Sequence, residues 1–260
     1  MKGICLLTMV PMRAEPTHRS ELVNQMLFGE LFHTVGKTRN GAWLEIKLAH
    51  DNYVGWVDAN QVTEISTDTF KELAKQEPAY STQVMDLCLC TSTNKTTFII
   101  PGCRLPMQPG SDEFRINNQT FEFNGPVNRE RISREEMLEL AYSYLNAPYL
   151  WGGRTPLGID CSGFTQIIYR LAGYNIPRDA SQQATIGNVL SFIEESRPGD
   201  LAFFDNDEGR ITHVGIVMPN NQIIHASGKV RIDGLDQYGI YNREIRQHTH
   251  RLRLMKEIAD

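Results

Sequence analysis

Three residues have the types and the setting that thiol chemistry needs: Cys161, His213 and His225. Cys161 follows Asp160 and precedes Ser162-Gly163-Phe164 and an amphipathic stretch, which predicts a cysteine in the first turn of a helix. The positive end of a helix dipole favours the thiolate, which is the nucleophilic form of cysteine. The two histidines lie in short runs that predict strands, so a base and a partner that orients it are available. The sequence therefore predicts a thiol hydrolase.

The two histidines share one face of a sheet only if the loop between their strands has an odd number of residues. With Pro219-Asn220-Asn221 as a three-residue loop, His225 opposes Gly215. His213 then lies on the same face, as a diagonal neighbour ~7–8 Å away at the backbone, which lets one imidazole reach the other. A two-residue loop would place the rings on opposite faces. The triad therefore requires the longer loop.

These residues suggest a mechanism with a role for each. His213 takes the thiol proton of Cys161, and the thiolate attacks a carbonyl carbon. His225 holds the His213 ring in the productive tautomer and contributes orientation more than charge. The backbone amide of Cys161 is expected to donate to the oxyanion, with the Tyr149 hydroxyl as a second donor. The remaining histidines, at positions 18, 33, 50, 248 and 250, are expected to be solvated or paired locally.

Composition and charge exclude several classes of partner. The chain has 260 residues, which suits two or three domains, and its net charge of −5 argues against binding to nucleic acid. No stretch approaches the ~20 apolar residues of a membrane helix, so no membrane partner is expected. The apolar residues 1–11 are expected to form a first strand. The alternative is an exported precursor that was trimmed before this numbering.

The cysteines favour a reducing compartment. There are five, at positions 5, 88, 90, 103 and 161, with no CxxC pair and no cluster at the spacing of a zinc site. We therefore expect no metal and no other cofactor. Reduced, buried thiols fit the cytoplasm. A periplasmic or exported location is the alternative, if a signal peptide precedes this numbering. A monomer is expected.

The N-terminal half has the pattern of an all-β region. Short alternating runs such as Trp43–Leu48 are separated by turn residues and lack any long helical period. This pattern favours two small β-barrels in series, over residues 1–65 and 66–127. A short helix is expected near residues 67–75, at the start of the second barrel.

The pattern changes at Ser133. Ser133 and Glu136 have the spacing of a capping box, and apolar residues then recur at helical spacing until Pro148. Helices come first over residues 128–260 and strands follow, without βαβ alternation. We therefore predict an α+β domain for this part of the chain.

The C-terminal half resembles the NlpC/p60 family of papain-like cysteine peptidases. The resemblance spans residues 131 to about 255, in the family's order, and implies Cys161 as nucleophile, His213 as base and His225 as the orienting residue. The matching segments are Tyr149-Leu-Trp-Gly-Gly, Asp160-Cys-Ser-Gly-Phe, Arg178-Asp-Ala-Ser-Gln, Arg197-Pro-Gly-Asp-Leu-Ala-Phe-Phe, His213-Val-Gly-Ile-Val and Ile224-His-Ala-Ser.

The N-terminal half resembles bacterial SH3-like domains. Arg13-Ala-Glu-Pro, Ser20-Glu-Leu-Val-Asn-Gln, Leu27-Phe-Gly-Glu and Tyr53-Val-Gly-Trp-Val match the first module well, and residues 80–127 match a second module loosely. The combined resemblance implies a γ-D-glutamyl-L-diamino acid endopeptidase. Such enzymes act on peptidoglycan-derived tri- and tetrapeptides with a free N-terminal L-alanine.

The same resemblance implies a set of substrate-binding residues. Ser162 and Trp151 would line the γ-D-glutamyl pocket. An ammonium group buried in a cleft needs carboxylates, because an unpaired buried charge is costly. Glu30 is a competing choice for the carboxylate of the first SH3-like module. The residues expected at the alanine end are Glu21, Tyr53, Asp160 and Ser181.

Three other functions compete with this one. The first is a broader cell-wall hydrolase that cuts glycan-attached stem peptides, with the SH3-like modules as wall anchors. The second is a peptidoglycan-binding protein without activity, which an intact Cys161, His213 and His225 disfavour. The third is acyl transfer on lipids, which would need an apolar groove that the sequence does not predict.

Overall fold

The structure is a computed structural model that describes residues 1–258. The chain forms two compact units, Met1–Glu130 and a second that begins at Arg131. The finer domain limits predicted from the sequence, 1–65, 66–127 and 128–260, stay predictions. Within the described residues, no helix is both long enough and apolar enough to span a membrane.

The first unit begins with an antiparallel sheet. Its strands are β1 Lys2–Ile4, β2 Met9–Arg13, β3 Leu22–Leu27, β4 Leu31–Lys37, β5 Trp43–Leu48, β6 Val54–Asp58 and β7 Thr63–Ile65. They pair as a seven-stranded sheet in the order β3-β2-β6-β5-β4-β1-β7. Alternate side chains of β5 are buried, as its sequence pattern predicts. The expected first strand is split in two, β1 and β2.

The rest of the first unit contains one helix and two small sheets. Ser66 caps α1 (Thr67–Lys75), the helix that the sequence predicts. The strands are β8 Ala79–Ser81, β9 Asp86–Cys90, β10 Lys95–Ile99, β11 Arg104–Leu105, β12 Glu113–Ile116, β13 Gln119–Glu122 and β14 Val127–Asn128. They form sheets in the orders β10-β9-β13-β12 and β11-β8-β14. The predicted all-β character of this region is confirmed.

The second unit begins with helices. They are α2 Arg134–Tyr142, α3 Cys161–Leu171 and α4 Ala180–Gln183. The predicted capping box of Ser133 and Glu136 is present at the start of α2. Helix α2 ends at Tyr142, before Pro148, and the hydroxyl of the next residue, Ser143, donates to the Leu140 carbonyl at 2.7 Å. Every residue of α3 is buried, so this helix is the core element of the unit.

A closed barrel packs against α3. The strands of the second unit are β15 Arg154–Thr155, β16 Gly158–Ile159, β17 Asn188–Leu190, β18 Leu201–Asp205, β19 Ile211–Met218, β20 Gln222–Ser227, β21 Lys229–Asp236, β22 Gly239–Asn242 and β23 Gln247–Glu257. Strands β18 to β23 pair in sequence order, and β23 also pairs with β18, which closes six strands into a barrel. Helix α3 lies against β19 and β20. The predicted α+β class is confirmed.

Glycine allows α3 to approach a neighbouring loop closely. A Cβ atom at Gly163 would lie 2.2 Å from the carbonyl oxygen of Gly153, a distance that no side chain tolerates. The loop that contains Trp151 is therefore held directly against the first turn of the helix. This contact explains why glycine follows Cys161-Ser162 in the sequence.

Candidate active site

Cys161 is the first residue of α3, as the sequence predicts. Oδ1 of Asp160 accepts a hydrogen bond from the Gly163 N–H at 2.7 Å and so caps the helix. The Cys161 side chain is 7% exposed. Its sulfur interacts with the backbone N–H groups of Val214 and Ser162. Because Val214 follows His213, the thiol lies beside the strand that carries the predicted base.

The thiol rests in its protonated form. Burial raises the pKa of Cys161 to about 12, and the negative charge of Asp160 acts in the same direction. The N–H groups of Val214 and Ser162 and the charge of Arg178 lower the pKa, but they do not outweigh burial. The helix start therefore does not produce the thiolate on its own, and the sequence-based prediction of a separate base stays in place. A neighbouring base is needed.

The two predicted histidines meet on one face of the barrel sheet. The predicted register is confirmed: Met218 pairs with Gln222, and Gly215 pairs with His225. Nε2 of His213 lies 2.8 Å from Nδ1 of His225. The ring planes are nearly perpendicular, at 88°, so His225 meets His213 at its edge. This geometry fits the orienting role predicted for His225, and the catalytic roles themselves stay predictions.

A carboxylate lies behind the histidine pair. Nε2 of His225 is 3.1 Å from Oδ2 of Asp233, which is 4% exposed. Arg231 flanks the same carboxylate: its Nη2 donates to Oδ1 at 3.1 Å, and its Nε lies 2.7 Å from Oδ2. Arg231 also pairs with Glu244 at 3.1 Å. His213, His225 and Asp233 therefore form a continuous chain of polar contacts.

A third imidazole stacks on the predicted base. The rings of His250 and His213 lie face to face, with centroids 4.1 Å apart and planes at 26°. Nδ1 of His250 lies 2.9 Å from Oγ1 of Thr249, so the expected local pairing is present. The stacking on His213 was not expected. It gives His250 a place in the site that the sequence did not predict.

Burial keeps the three imidazoles neutral. It lowers the pKa of His213 well below 6.5, and the neighbouring His225 and His250 act in the same direction. Burial also lowers the pKa of His225, although the hydrogen bond with Asp233 opposes it. Burial is also the main reason why the pKa of His250 falls to about 4. His213 is therefore unprotonated near neutral pH and has a lone pair available for the thiol proton.

Asp160 is paired inside the protein. Arg178, only 2% exposed, donates to both oxygens of this carboxylate, from Nη1 at 3.0 Å and from Nη2 at 2.6 Å. The Gly152 N–H donates to Oδ2 at 2.8 Å, and Nη1 of Arg178 also donates to Oγ of Ser162 at 2.8 Å. Asp160 and Ser162 thus connect the start of α3 by hydrogen bonds to the loops that contain Gly152 and Arg178. Their predicted contacts with substrate stay predictions.

Tyr149 lies near enough to Cys161 and Asp160 for their charges to influence its hydroxyl. Burial raises its pKa to about 12, and the nearby Cys161 and Asp160 contribute to the shift. The phenol therefore keeps its proton and can donate it in a hydrogen bond. Trp151 is 60% exposed on the adjacent loop, and Ser181 is exposed on α4. The roles of all three residues stay predictions.

The predicted residues of the first unit have distinct environments. Glu21 is exposed, whereas the competing Glu30 is buried and accepts the Leu27 N–H at 2.9 Å. Tyr53 is half-buried, and its hydroxyl donates to the Val23 carbonyl at 3.3 Å. Burial and the hydrogen bond from the Leu27 N–H give Glu30 a role in the fold. The predicted contacts of Glu21 and Tyr53 with substrate stay predictions.

The residues missed from the sequence are Asp233, Arg178 and His250. A signal for Asp233 existed: Arg231-Ile-Asp233 alternates on the strand after His225, and His225 opposes Arg231. In this register Asp233 is a diagonal neighbour of His225 on the same face of the sheet. His250 carries no such signal, because its position depends on closure of the barrel. Among residues 1–258, no three His, Cys, Asp or Glu side chains are grouped as metal ligands.

The α+β fold, with a cysteine at the start of a buried helix and a histidine pair on the adjacent sheet, is the arrangement of papain-like peptidases. Profile comparison matches residues 146–250 to the NlpC/P60 family. It matches residues 12–62 to the bacterial dipeptidyl-peptidase Sh3 domain. Residues 146–250 therefore form an NlpC/P60 domain, residues 12–62 form an SH3 domain of this type, and the chain is a peptidase.

Individual relatives agree with this assignment. Dipeptidyl-peptidase 6 of Lysinibacillus sphaericus is 29% identical over 275 residues, which cover 94% of this chain and 96% of the relative. The gamma-D-glutamyl-L-lysine dipeptidyl-peptidase of Bacillus subtilis is 38% identical over 103 residues, 39% of this chain and 34% of the relative. The crystal structure of an NlpC/P60 family protein from Bacillus cereus superposes with a TM-score of 0.81. It covers 99% of both chains at 20% identity, which supports the fold.

Proposed function

We propose that this protein is a cysteine peptidase that hydrolyses the γ-D-glutamyl–diamino acid bond of peptidoglycan-derived peptides. The substrate has a free N-terminal L-alanine, and the products are L-Ala-γ-D-Glu and the remaining diamino acid peptide. The reaction belongs to the reuse of cell-wall peptides, and we propose the cytoplasm as its location and a monomer as the active form.

One observation carries the chemical part of this proposal. His213 points its Nε2 at His225, 2.8 Å away, so its other ring nitrogen, Nδ1, remains for the thiol. The Cys161 sulfur interacts with the backbone N–H of the next residue, Val214. The substrate part is supported by the relative named dipeptidyl-peptidase 6, which matches 94% of this chain, both halves included.

The first half of the reaction forms a covalent intermediate. Nδ1 of His213 takes the Cys161 proton as the sulfur attacks the γ-carbonyl carbon of the D-glutamyl residue. The Cys161 N–H and the Tyr149 hydroxyl donate to the oxyanion that develops. The C–N bond then breaks, and the imidazolium of His213 returns its proton to the leaving amine of the diamino acid. A thioester between Cys161 and L-Ala-γ-D-Glu remains.

The second half of the reaction releases the dipeptide. A water molecule gives a proton to Nδ1 of His213 and attacks the thioester carbonyl carbon. The C–S bond breaks, and the proton passes from His213 to the Cys161 sulfur. The neutral thiol and the neutral imidazole are then restored, the resting forms that burial favours.

Recognition of the free amino terminus would set the substrate class. Glu21, Tyr53, Asp160 and Ser181 are the residues we propose at the alanine end. An ammonium group that is buried with the substrate needs a countercharge, and Asp160 shares its own with Arg178. N-acetylation removes the positive charge of the ammonium group and should therefore abolish productive binding.

The test compares two peptides with the wild-type protein. L-Ala-γ-D-Glu-L-Lys and its N-acetylated form are incubated separately, and released lysine is measured. We expect lysine to be released from the acetylated peptide at a rate about 100-fold or more below that from the free peptide. Equal rates would instead support the broader cell-wall hydrolase, which does not recognise a free amino terminus.

A variant tests the role of Glu21. Glu21→Gln should weaken discrimination between the two peptides, and Glu15→Gln is the matched surface control.

A further inference from the structure

We propose that Asp233 is a positioning residue that sets, through His225, which ring nitrogen of His213 carries the proton. This inference rests on the proposed function, in which His213 is the base for Cys161. It adds a fourth residue behind the predicted triad. It also assigns Asp233 a task that can be observed without any substrate.

The assignment follows from the donors and acceptors along the chain of contacts. An ionised carboxylate only accepts, so His225 must present an N–H at Nε2 to Asp233, 3.1 Å away. A neutral imidazole has one N–H, so Nδ1 of His225 is then an acceptor. It lies 2.8 Å from Nε2 of His213, which must therefore carry the hydrogen of that ring. Nδ1 of His213 is left with a lone pair.

The opposite arrangement would be unproductive. If His225 carried its hydrogen on Nδ1, Nε2 of His213 would become the acceptor of the 2.8 Å contact. Nδ1 of His213 would then hold the hydrogen, and this nitrogen could not take the thiol proton of Cys161. Two neutral rings alone allow both arrangements. The Asp233 carboxylate permits only the arrangement with Nε2–H on both rings.

Arg231 keeps the carboxylate in the ionised form that this task requires. Burial raises the pKa of Asp233, but the hydrogen bonds from His225 and Arg231 outweigh burial and hold that pKa below its ordinary value. Around this chain of contacts, His250 stacks on His213, both with lowered pKa values, Cys161 lies beside the strand of His213, and Glu244 pairs with Arg231. Asp233 therefore accepts a hydrogen bond without taking the proton.

The experiment reads the tautomers directly. Two-bond ¹H–¹⁵N correlation spectra of the full-length protein, labelled with ¹⁵N-histidine, distinguish Nδ1–H from Nε2–H for each ring. His213→Gln and His225→Gln spectra assign the two signals. We expect Nε2–H for both rings in the wild type, and a mixture with Nδ1–H for both in Asp233→Ala. Glu244→Ala, which removes the other carboxylate paired with Arg231, is the matched control and should keep the wild-type tautomers.

Kinetics provide a second readout. In Asp233→Ala, kcat should fall roughly 10- to 100-fold with KM little changed, less than the ~10⁴ seen where a lost carboxylate touches the catalytic imidazole directly. An Nδ1–H on His225 in the wild type, or wild-type tautomers in Asp233→Ala, would overturn the proposal. If Asp233→Ala fails to fold, the wild-type spectrum still tests the proposal, because an Nδ1–H signal from His225 would contradict it. A wild type without activity on the peptide would refute the proposed function instead, and the tautomers would be unaffected.

Discussion

His250 lies face to face with His213, 4.1 Å away between ring centroids, while His225 meets the edge of the same ring at 88°. The predicted base is therefore held on two sides by two imidazoles from different strands, β20 and β23. Rotation of the His213 ring would break both contacts. Because Nε2 faces His225, Nδ1 is the ring nitrogen that remains for the thiol.

Loss of the stacked ring should slow the reaction without weakening substrate binding. An aromatic pair is worth about 0.5–1.5 kcal/mol, so His250→Ala should lower kcat roughly 3- to 10-fold through a less ordered His213. His250→Phe preserves the stack and should retain most of the activity. Steady-state kinetics on the free tripeptide test this. An alanine variant as active as the wild type, or a phenylalanine variant as slow as the alanine one, would contradict the stacking role.

The same histidine should make the protein sensitive to acid. Its pKa in the folded state is about 4, against 6.5 for the ordinary group, so the unfolded chain takes the proton first as pH falls. The contribution of His250 to stability is complete above about pH 6.5 and is lost progressively as pH falls towards about 4. After allowance for its partial exposure, the loss is about 2 kcal/mol.

His250→Phe isolates this contribution from that of the carboxylates. The variant lacks the titrating group, so its free energy of unfolding should fall less between neutral pH and about pH 4 than that of the wild type. Urea unfolding at both pH values gives the comparison. Parallel losses in the two proteins would show that His250 is not protonated on unfolding.

Removal of the Tyr149 hydroxyl should affect the chemical step. The pKa of Tyr149 is raised to about 12, first by burial, so the phenol remains a donor over the working pH range. Tyr149→Phe should lower kcat about 100-fold, as expected for one lost oxyanion donor, with little change in KM. Tyr142→Phe, at an exposed tyrosine of α2, is the matched control. If both variants behave alike, Tyr149 does not contact the oxyanion.

The buried ion pair of Asp160 and Arg178 should be essential for stability. Asp160→Asn leaves the guanidinium buried without its countercharge, at a cost of about 3–5 kcal/mol in the free energy of unfolding. Adding Arg178→Gln should recover part of that loss, because the unpaired charge is removed as well. Glu208→Gln breaks an exposed pair with Arg210 and should cost less than about 1 kcal/mol. Additive effects of the two core substitutions would contradict a coupled pair.

The parts of the site that the sequence predicts depend on local chain geometry. The residues around Cys161 predict a cysteine in the first turn of a helix, and in the structure Asp160 caps that helix start at 2.7 Å. The three-residue loop at Pro219 determines the register, and the register determines the face on which the histidines lie. Both inferences need only a few consecutive residues and known strand or helix periodicity.

The parts that were missed depend on packing between distant segments. His250 reaches His213 because β23 pairs with β18 and closes the barrel. Arg178 reaches Asp160 across a loop whose path no local pattern predicts. The resting state of the thiol also depends on packing: a helix start stabilises the anion, but the degree of burial that opposes it is determined only in the folded core.

The most direct test of the account is the fate of L-Ala-γ-D-Glu-L-Lys with the wild-type protein and with Cys161→Ala, followed by mass spectrometry. The account predicts that the wild type releases L-Ala-γ-D-Glu and lysine. It also predicts that Cys161→Ala keeps its fold, binds the peptide and releases neither product. Appearance of both products with Cys161→Ala at a rate near that of the wild type would contradict it.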